Sequence, residues 1–273
     1  MSEAGRGDDR AARPLSRSAG LGLGLAVLWL SLVVLLPLAA IVAASTGDGW
    51  SGFYRTVTGD AVAAALRLSI GASLLVALVN AVMGTLVAWV LVRDRFPGRR
   101  VLEVIIDVPF ALPTIVAGLV LITLYGPMTP IGLELVGTRR AIVVALLFVT
   151  LPFVVRTVQP VLLELDREVE EAAASLGASR WAIFRRIVLP TLAPAIASGA
   201  GLCFARAVGE YGSVTLIAGN IPFSTEIASV RILSQIENDQ IAEAAATATV
   251  LLAVGLLVII ALDLVRRSVE RRG

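Results

Sequence analysis

From Leu66 to Val92 the chain reads LRLSIGASLLVALVNAVMGTLVAWVLV, with Arg67 as its only charge. About 20 mostly apolar residues let a helix cross the hydrocarbon of a bilayer, so this stretch sets the class of the protein. It lacks the strict apolar–polar alternation of an outer-membrane strand. Five more stretches share its character, approximately Leu21–Ala44, Val101–Tyr125, Ala141–Leu163, Thr191–Ala218 and Ala244–Val265. The whole composition agrees. Of the 273 residues 57% are hydrophobic and 16% charged, with mean hydropathy +0.88, where soluble domains carry about 45–50% and 25%. These numbers exclude a soluble globular domain and predict an all-α, polytopic membrane protein of six transmembrane helices. Prolines 109, 113 and 152 are acceptable inside spans, because neighbouring helices re-satisfy freed backbone groups. Gly71, Gly84 and the run Ser198-Gly199-Ala200-Gly201 predict close helix approach.

Missing residue types narrow the chemistry. No His is present, the single Cys203 sits in an apolar run, and all 23 basic residues are Arg. That removes histidine bases, cysteine-cluster metal sites and the lysine of a phosphate-binding loop. No catalytic, cofactor-binding or metal site is expected, and the net charge of +2 belongs to loops rather than to a nucleic-acid face. Arginine placement sets the topology. Sixteen arginines fall in the N-terminal tail, the loop after the second span, residues 164–190 and the C-terminal tail, against Arg55, Arg139, Arg140 and Arg231 on the other side. The positive-inside rule then places both termini in the cytoplasm. The first apolar stretch exceeds the 7–15-residue core of a signal peptide and is expected to be a retained span.

Residues 164–190 form the longest inner loop. Glu164, Asp166, Glu168, Glu170 and Glu171 suit a helix N-terminus, and Ala172-Ala173-Ala174 follow as compact helix formers. Gly177 is a natural turn. Trp181, Phe184, Ile187 and Val188 then recur at helical spacing, and Pro190 ends the loop. The expectation is a short helix, a turn and an amphipathic helix. By physics alone this is either an interfacial linker or a stiff knob for a partner's groove.

Glu171-Ala172-Ala173, three residues, Gly177, nine residues, then Ile187-Val188-Leu189-Pro190 resembles the EAA signature of ABC-importer permeases, without departure in spacing. Phe96-Pro97-Gly98-Arg99, Asp107-Val108-Pro109, Arg206-Ala207-Val208-Gly209-Glu210, Gly219-Asn220-Ile221-Pro222 and Thr225-Glu226-Ile227 resemble sulfate/thiosulfate permeases of the T-subunit type. Molybdate permeases share some of these pieces. The resemblance implies a type I ABC importer permease fold, organised as a disordered cytoplasmic tail (1–18), a six-helix permease domain (19–268) with its coupling loop at 164–190, and a short cytoplasmic tail (269–273). It also implies a bacterial inner-membrane location. The function implied is ATP-driven import of sulfate or thiosulfate, with molybdate or tungstate as the alternative cargo. An ion-gradient-driven anion transporter is the rival from another class. The chain would not be an enzyme. ATP and Mg would be used by a partner ATPase dimer seated on Glu171, Ala172, Ala173, Gly177, Ile187, Leu189 and Pro190. A second, related permease and an extracytoplasmic sulfate-binding protein complete the implied partners, beside the lipid bilayer.

Charges within spans are the remaining candidates. Arg206 and Glu210 are expected one turn apart in the outer half of one helix, either as an internal ion pair or with Arg206 on an anion pathway beside Gly209. Arg67 and Arg156 are expected to snorkel to the headgroups. Asp107, beside Pro109 and Pro113, reads as a capping carboxylate or as part of a cavity at a half-broken helix.

Overall fold

Apolar segments of this length must satisfy their backbone groups internally once they leave water. In the computed structural model, which describes residues 17–128 and 132–270, the described residues form helices and no strand. Helix α1 (Arg17–Leu30) passes through a wide turn at Ser31–Leu35 into α2 (Leu36–Ala44), and together they make the first span. The tail expected at 1–18 lies outside the described residues up to residue 16. A short amphipathic helix, α3 (Gly49–Thr58), follows with Trp50 and Tyr54 exposed, the placement that suits aromatic rings at a membrane interface. The second span is α4 (Asp60–Arg93), 34 residues long, so at 1.5 Å per residue it runs about 50 Å and outreaches the hydrocarbon.

The third span is broken. Helix α5 (Arg99–Ala111) and helix α6 (Thr114–Tyr125) meet at a bend of 117°. The cause is local: a residue preceding proline is driven out of the helical region, and Leu112, before Pro113, is extended at ψ 132. Helix α7 (Arg139–Glu164) is the fourth span and keeps Pro152 and Pro160 inside it.

Past α7 lie α8 (Arg167–Ser175) and α9 (Arg180–Ile183). Contrary to expectation, Pro190 does not end the loop. The helix begun at Arg180 continues through a wide turn at Phe184–Val188 into α10 (Leu189–Val208). Together these form one segment of 29 residues, Arg180–Val208. Proline is tolerated there because the wide turn has already displaced the bonding register it would break.

The fifth span also ends ten residues earlier than expected, at Val208 rather than Ala218. A break at 209–211 leads to α11 (Gly212–Ile217), and then α12 (Ala228–Glu237) and the last span, α13 (Ile241–Glu270).

The core is the contact of α4, α7 and α10. Val154 of α7 is the hub. A Cβ on Gly84 of α4 would stand 2.8 Å from the Val154 Cβ, and one on Gly199 of α10 would stand 3.0 Å from its Cα. Gly71, by contrast, faces open space. Cys203 joins a buried polar knot: Asn80 Nδ2 donates to Thr150 Oγ1 at 2.9 Å, and the Cys203 thiol donates to the same oxygen at 3.2 Å. Three helices are thereby bonded inside a medium where an unpaired polar group is costly.

Candidate functional site

The loop at residues 164–190 is built from capping chemistry. Asp166 accepts from the Glu168 amide at 2.9 Å and starts α8. At the other end Gly177 takes φ +86. Its amide donates to the Ala174 carbonyl at 2.9 Å, and the Ala178 amide donates to the Ala173 carbonyl at 3.0 Å. This is the Schellman pairing, which needs a left-handed residue and so favours glycine. Ser179 then accepts from the Ala182 amide at 3.3 Å to start α9. Glu171 and Ala172 are exposed, Ala173 is half-buried, and Leu176 at the tip is 89% exposed. Of the second stripe, Val188 and Ile183 are buried, Ile187 is half-buried, and Leu189 and Pro190 face outward.

A latch that the sequence did not reveal ties this loop to the second span. Arg93, the last residue of α4, donates from Nη2 to Glu170 Oε1, and its guanidinium lies 5.2 Å from the ring centre of Trp89. Trp89 meets Phe184 edge-on at 5.8 Å, and Phe184 stacks on Trp181 at 5.7 Å. One charged bond and a row of rings thus fasten α8 and the α9–α10 helix to the C-terminal end of α4.

Arg206 and Glu210 do meet, but not within one helix. Glu210 is 1% exposed and sits in the break after α10. Its Oε2 accepts from Arg206 Nη1 at 2.5 Å, and its Oε1 accepts from the Ser213 amide and hydroxyl at 2.9 and 2.8 Å. Its backbone carbonyl accepts from Ser229 at 2.8 Å. The carboxylate therefore caps α11 while the backbone carbonyl of Glu210 anchors α12, which is why the helix stops here: side-chain oxygens compete for backbone donors. Arg206 keeps 32% of its side chain exposed. Gly209 is exposed and needs no close approach. Gly212 does need one, since a Cβ there would lie 2.9 Å from the Ile115 amide of α6. So the two broken spans dock on each other, α6 against α11.

Asp107 lies inside α5 rather than at a helix end, and Arg156 turns to it. Arg156 Nε donates to Asp107 Oδ1 at 2.8 Å and Nη2 to Oδ2, a two-pronged pair fastening α5 to α7. Arg156 also donates to Gln159 Oε1 at 2.8 Å. Opposite charges in reach of each other offset part of the desolvation cost that each would carry alone. Asp107 shares no ion pair with Arg206 or Glu210 among the described residues. Arg67 is exposed and lines one cavity with Arg139.

Segments long and apolar enough to cross a bilayer, two of them broken and docked on one another, define a multi-pass membrane protein. The chain belongs to the family of binding-protein-dependent transport system inner membrane components, which matches residues 80–272. It is 44% identical over 248 residues to the sulfate transport system permease protein CysT of Synechocystis, covering 88% of this chain and 87% of that one. Against the CysT protein of Escherichia coli it is 41% identical over 259 residues, covering 92% and 94%. Among solved structures, a bacterial ABC transporter that imports the polysaccharide alginate matches with TM-score 0.76 at 16% identity, over 91% of this chain and 94% of that one. The MetNI methionine ABC transporter, facing inward, matches with TM-score 0.60 at 20% identity, over 77% and 96%. These last two likenesses are of fold.

Proposed function

We propose that this chain is the permease subunit of an ABC importer that moves sulfate or thiosulfate into the cytoplasm. The observation that carries the cargo is similarity to sulfate permeases of 41–44% along nearly the whole chain. In this reading both termini are cytoplasmic. The exposed α8 and its Gly177 turn seat in an ATPase dimer, which uses ATP and Mg. A second, related permease and an extracytoplasmic sulfate-binding protein complete the assembly.

The lever is legible in the helices. ATPase closure displaces α8, and the Arg93–Glu170 latch passes that displacement to α4. The uninterrupted 29 residues from Arg180 to Val208 reach about 43 Å and end at Arg206 and Glu210. A stiff rod of that length delivers motion at the inner loop to the break where α10 meets α11. Arg206, half-exposed and held on one side by Glu210, presents its remaining donors to a passing anion. An arginine already shared with a carboxylate attracts a divalent anion without trapping it, which conduction requires.

The test is uptake of radiolabelled sulfate into vesicles holding the chain with its ATPase, second permease and binding protein. Uptake that needs ATP and yields to excess thiosulfate but not to molybdate supports the reading. Preference for molybdate transfers the cargo assignment, and uptake without any ATPase discards the importer mechanism. Crosslinks from a cysteine at Ala172 to the ATPase test the docking loop separately.

A further inference from the structure

A cavity of about 520 Å³ lies between the arginine-poor end of α4 and the start of α7, with Phe223 of the α11–α12 connection in its wall. Two guanidinium groups line it, Arg67 and Arg139. Arg139 donates from Nε to the Ser224 carbonyl at 2.8 Å and from Nη2 to the Phe223 carbonyl at 3.3 Å. Both acceptors are neutral. They fix the direction of the group and leave its charge uncompensated. Arg67 is exposed and makes no hydrogen bond or ion pair among the described residues.

The acids that could neutralise this wall are engaged or distant. Glu226, the one acid of the α11–α12 connection, is 6% exposed and lies 3.9 Å from Arg231. Asp60 stands seven residues from Arg67, about 10 Å along α4. Glu134 forms no ion pair with Arg139 among the described residues. Two like charges in one concave, mostly apolar wall concentrate positive potential, which raises the local concentration of anions.

We infer that this cavity is a weak binding site for a tetrahedral oxyanion at the outer mouth, where Arg67 and Arg139 hold the anion before it passes inward. The inference rests on the sulfate reading above for its cargo. A lipid phosphate has the same chemistry, and the test separates the two sources.

The full chain, assembled with its partner subunits in phosphatidylcholine nanodiscs, is treated with phenylglyoxal, and modification of each arginine is read by mass spectrometry. Sodium sulfate, against sodium chloride of equal ionic strength, is expected to slow modification of Arg67 and Arg139 about threefold, the protection given by ligand at about twice its dissociation constant. Exposed Arg100 serves as the unprotected reference. Because Arg67 has no partner to lose among the described residues, Arg67→Gln keeps the fold, and in it sulfate should no longer protect Arg139. Equal rates in sulfate and chloride overturn the site. Protection that requires phosphatidylglycerol and ignores sulfate also overturns it, in favour of a headgroup anchor. Wild-type vesicles assayed in parallel keep the two claims apart. Sulfate uptake without protection removes the site and leaves the function, whereas no sulfate uptake removes both.

Discussion

Replacing Glu170 by Ala should loosen the loop that holds α8 from the rest of the bundle without unfolding the protein. Arg93 and Glu170 are 12% and 20% exposed, enough burial for their bond to count and enough water to keep it below the worth of a fully sealed pair. A hydrogen bond to a charged group contributes about 1.5–3 kcal/mol, so about 2 kcal/mol is the expected loss. Arg93 Nε is already buried without a partner, and losing Glu170 leaves the guanidinium with only the Trp89 ring. At 1.4 kcal/mol per tenfold, detachment of α8 should become about thirtyfold more frequent. Hydrogen exchange of the Ala172–Ala178 amides in the reconstituted protein reads this directly. Glu168→Ala is the control: Glu168 is exposed, shares the favourable first-turn position and has no ion pair among the described residues. Faster exchange in both variants to the same degree, or in neither while the spans stay folded, would refute the latch.

Three other outcomes follow from the same geometry. Gly177→Leu should raise ATP hydrolysis per anion moved, because a non-glycine left-handed residue costs about 1–2 kcal/mol. A Cβ at Gly177 meets nothing within 4 Å, so the cost is in the backbone alone and Gly177→Asn should be milder; equal coupling ratios in all three proteins would discard this account. Arg206→Ala should cut sulfate uptake at least about tenfold and also lower stability by about 3 kcal/mol, because it leaves the buried Glu210 carboxylate with the two Ser213 donors but no counter-charge, whereas Glu210→Gln, which keeps an acceptor for Ser213 and removes the charge, should be milder. Wild-type uptake by Arg206→Ala would leave the arginine a structural part only. Burial pushes the Glu226 carboxyl above its ordinary range, against the opposing pull of Arg231. A raised carboxyl pKa means the folded state holds the proton more tightly, so stability from this site is full at low pH and lost as pH rises through the raised pKa. Melting temperature measured against pH should show that decline, and Glu226→Gln should flatten it; an unchanged slope would remove Glu226 as its source.

How much was legible in the sequence follows from the range over which each feature is fixed. The spans were readable because crossing a bilayer is a demand on contiguous composition, and the loop because Asp166, Gly177 and Ser179 act within a few residues of themselves. The spacing Glu171-Ala172-Ala173…Gly177 carried the family for the same reason. The break at Glu210 was hidden, since Gly-Glu-Tyr-Gly interrupts an apolar run too briefly to look like an end, and only the Ser213 bonds reveal a cap. The Arg156–Asp107 pair was hidden because its two members are 49 residues apart in sequence and were read separately.

Composition and local spacing therefore determined that the chain crosses a membrane several times and presents a capped helix and glycine turn on its arginine-rich side. These are properties a segment has without neighbours, because solvent transfer and capping act residue by residue. Which charges neutralise one another belongs to the tertiary structure. Arg93 with Glu170, Arg156 with Asp107, and Arg139 with the Phe223 and Ser224 carbonyls are joined across 77, 49 and about 85 residues of chain. A charge in a low-dielectric bundle is defined by what stands within a few ångströms of it, and only packing decides that.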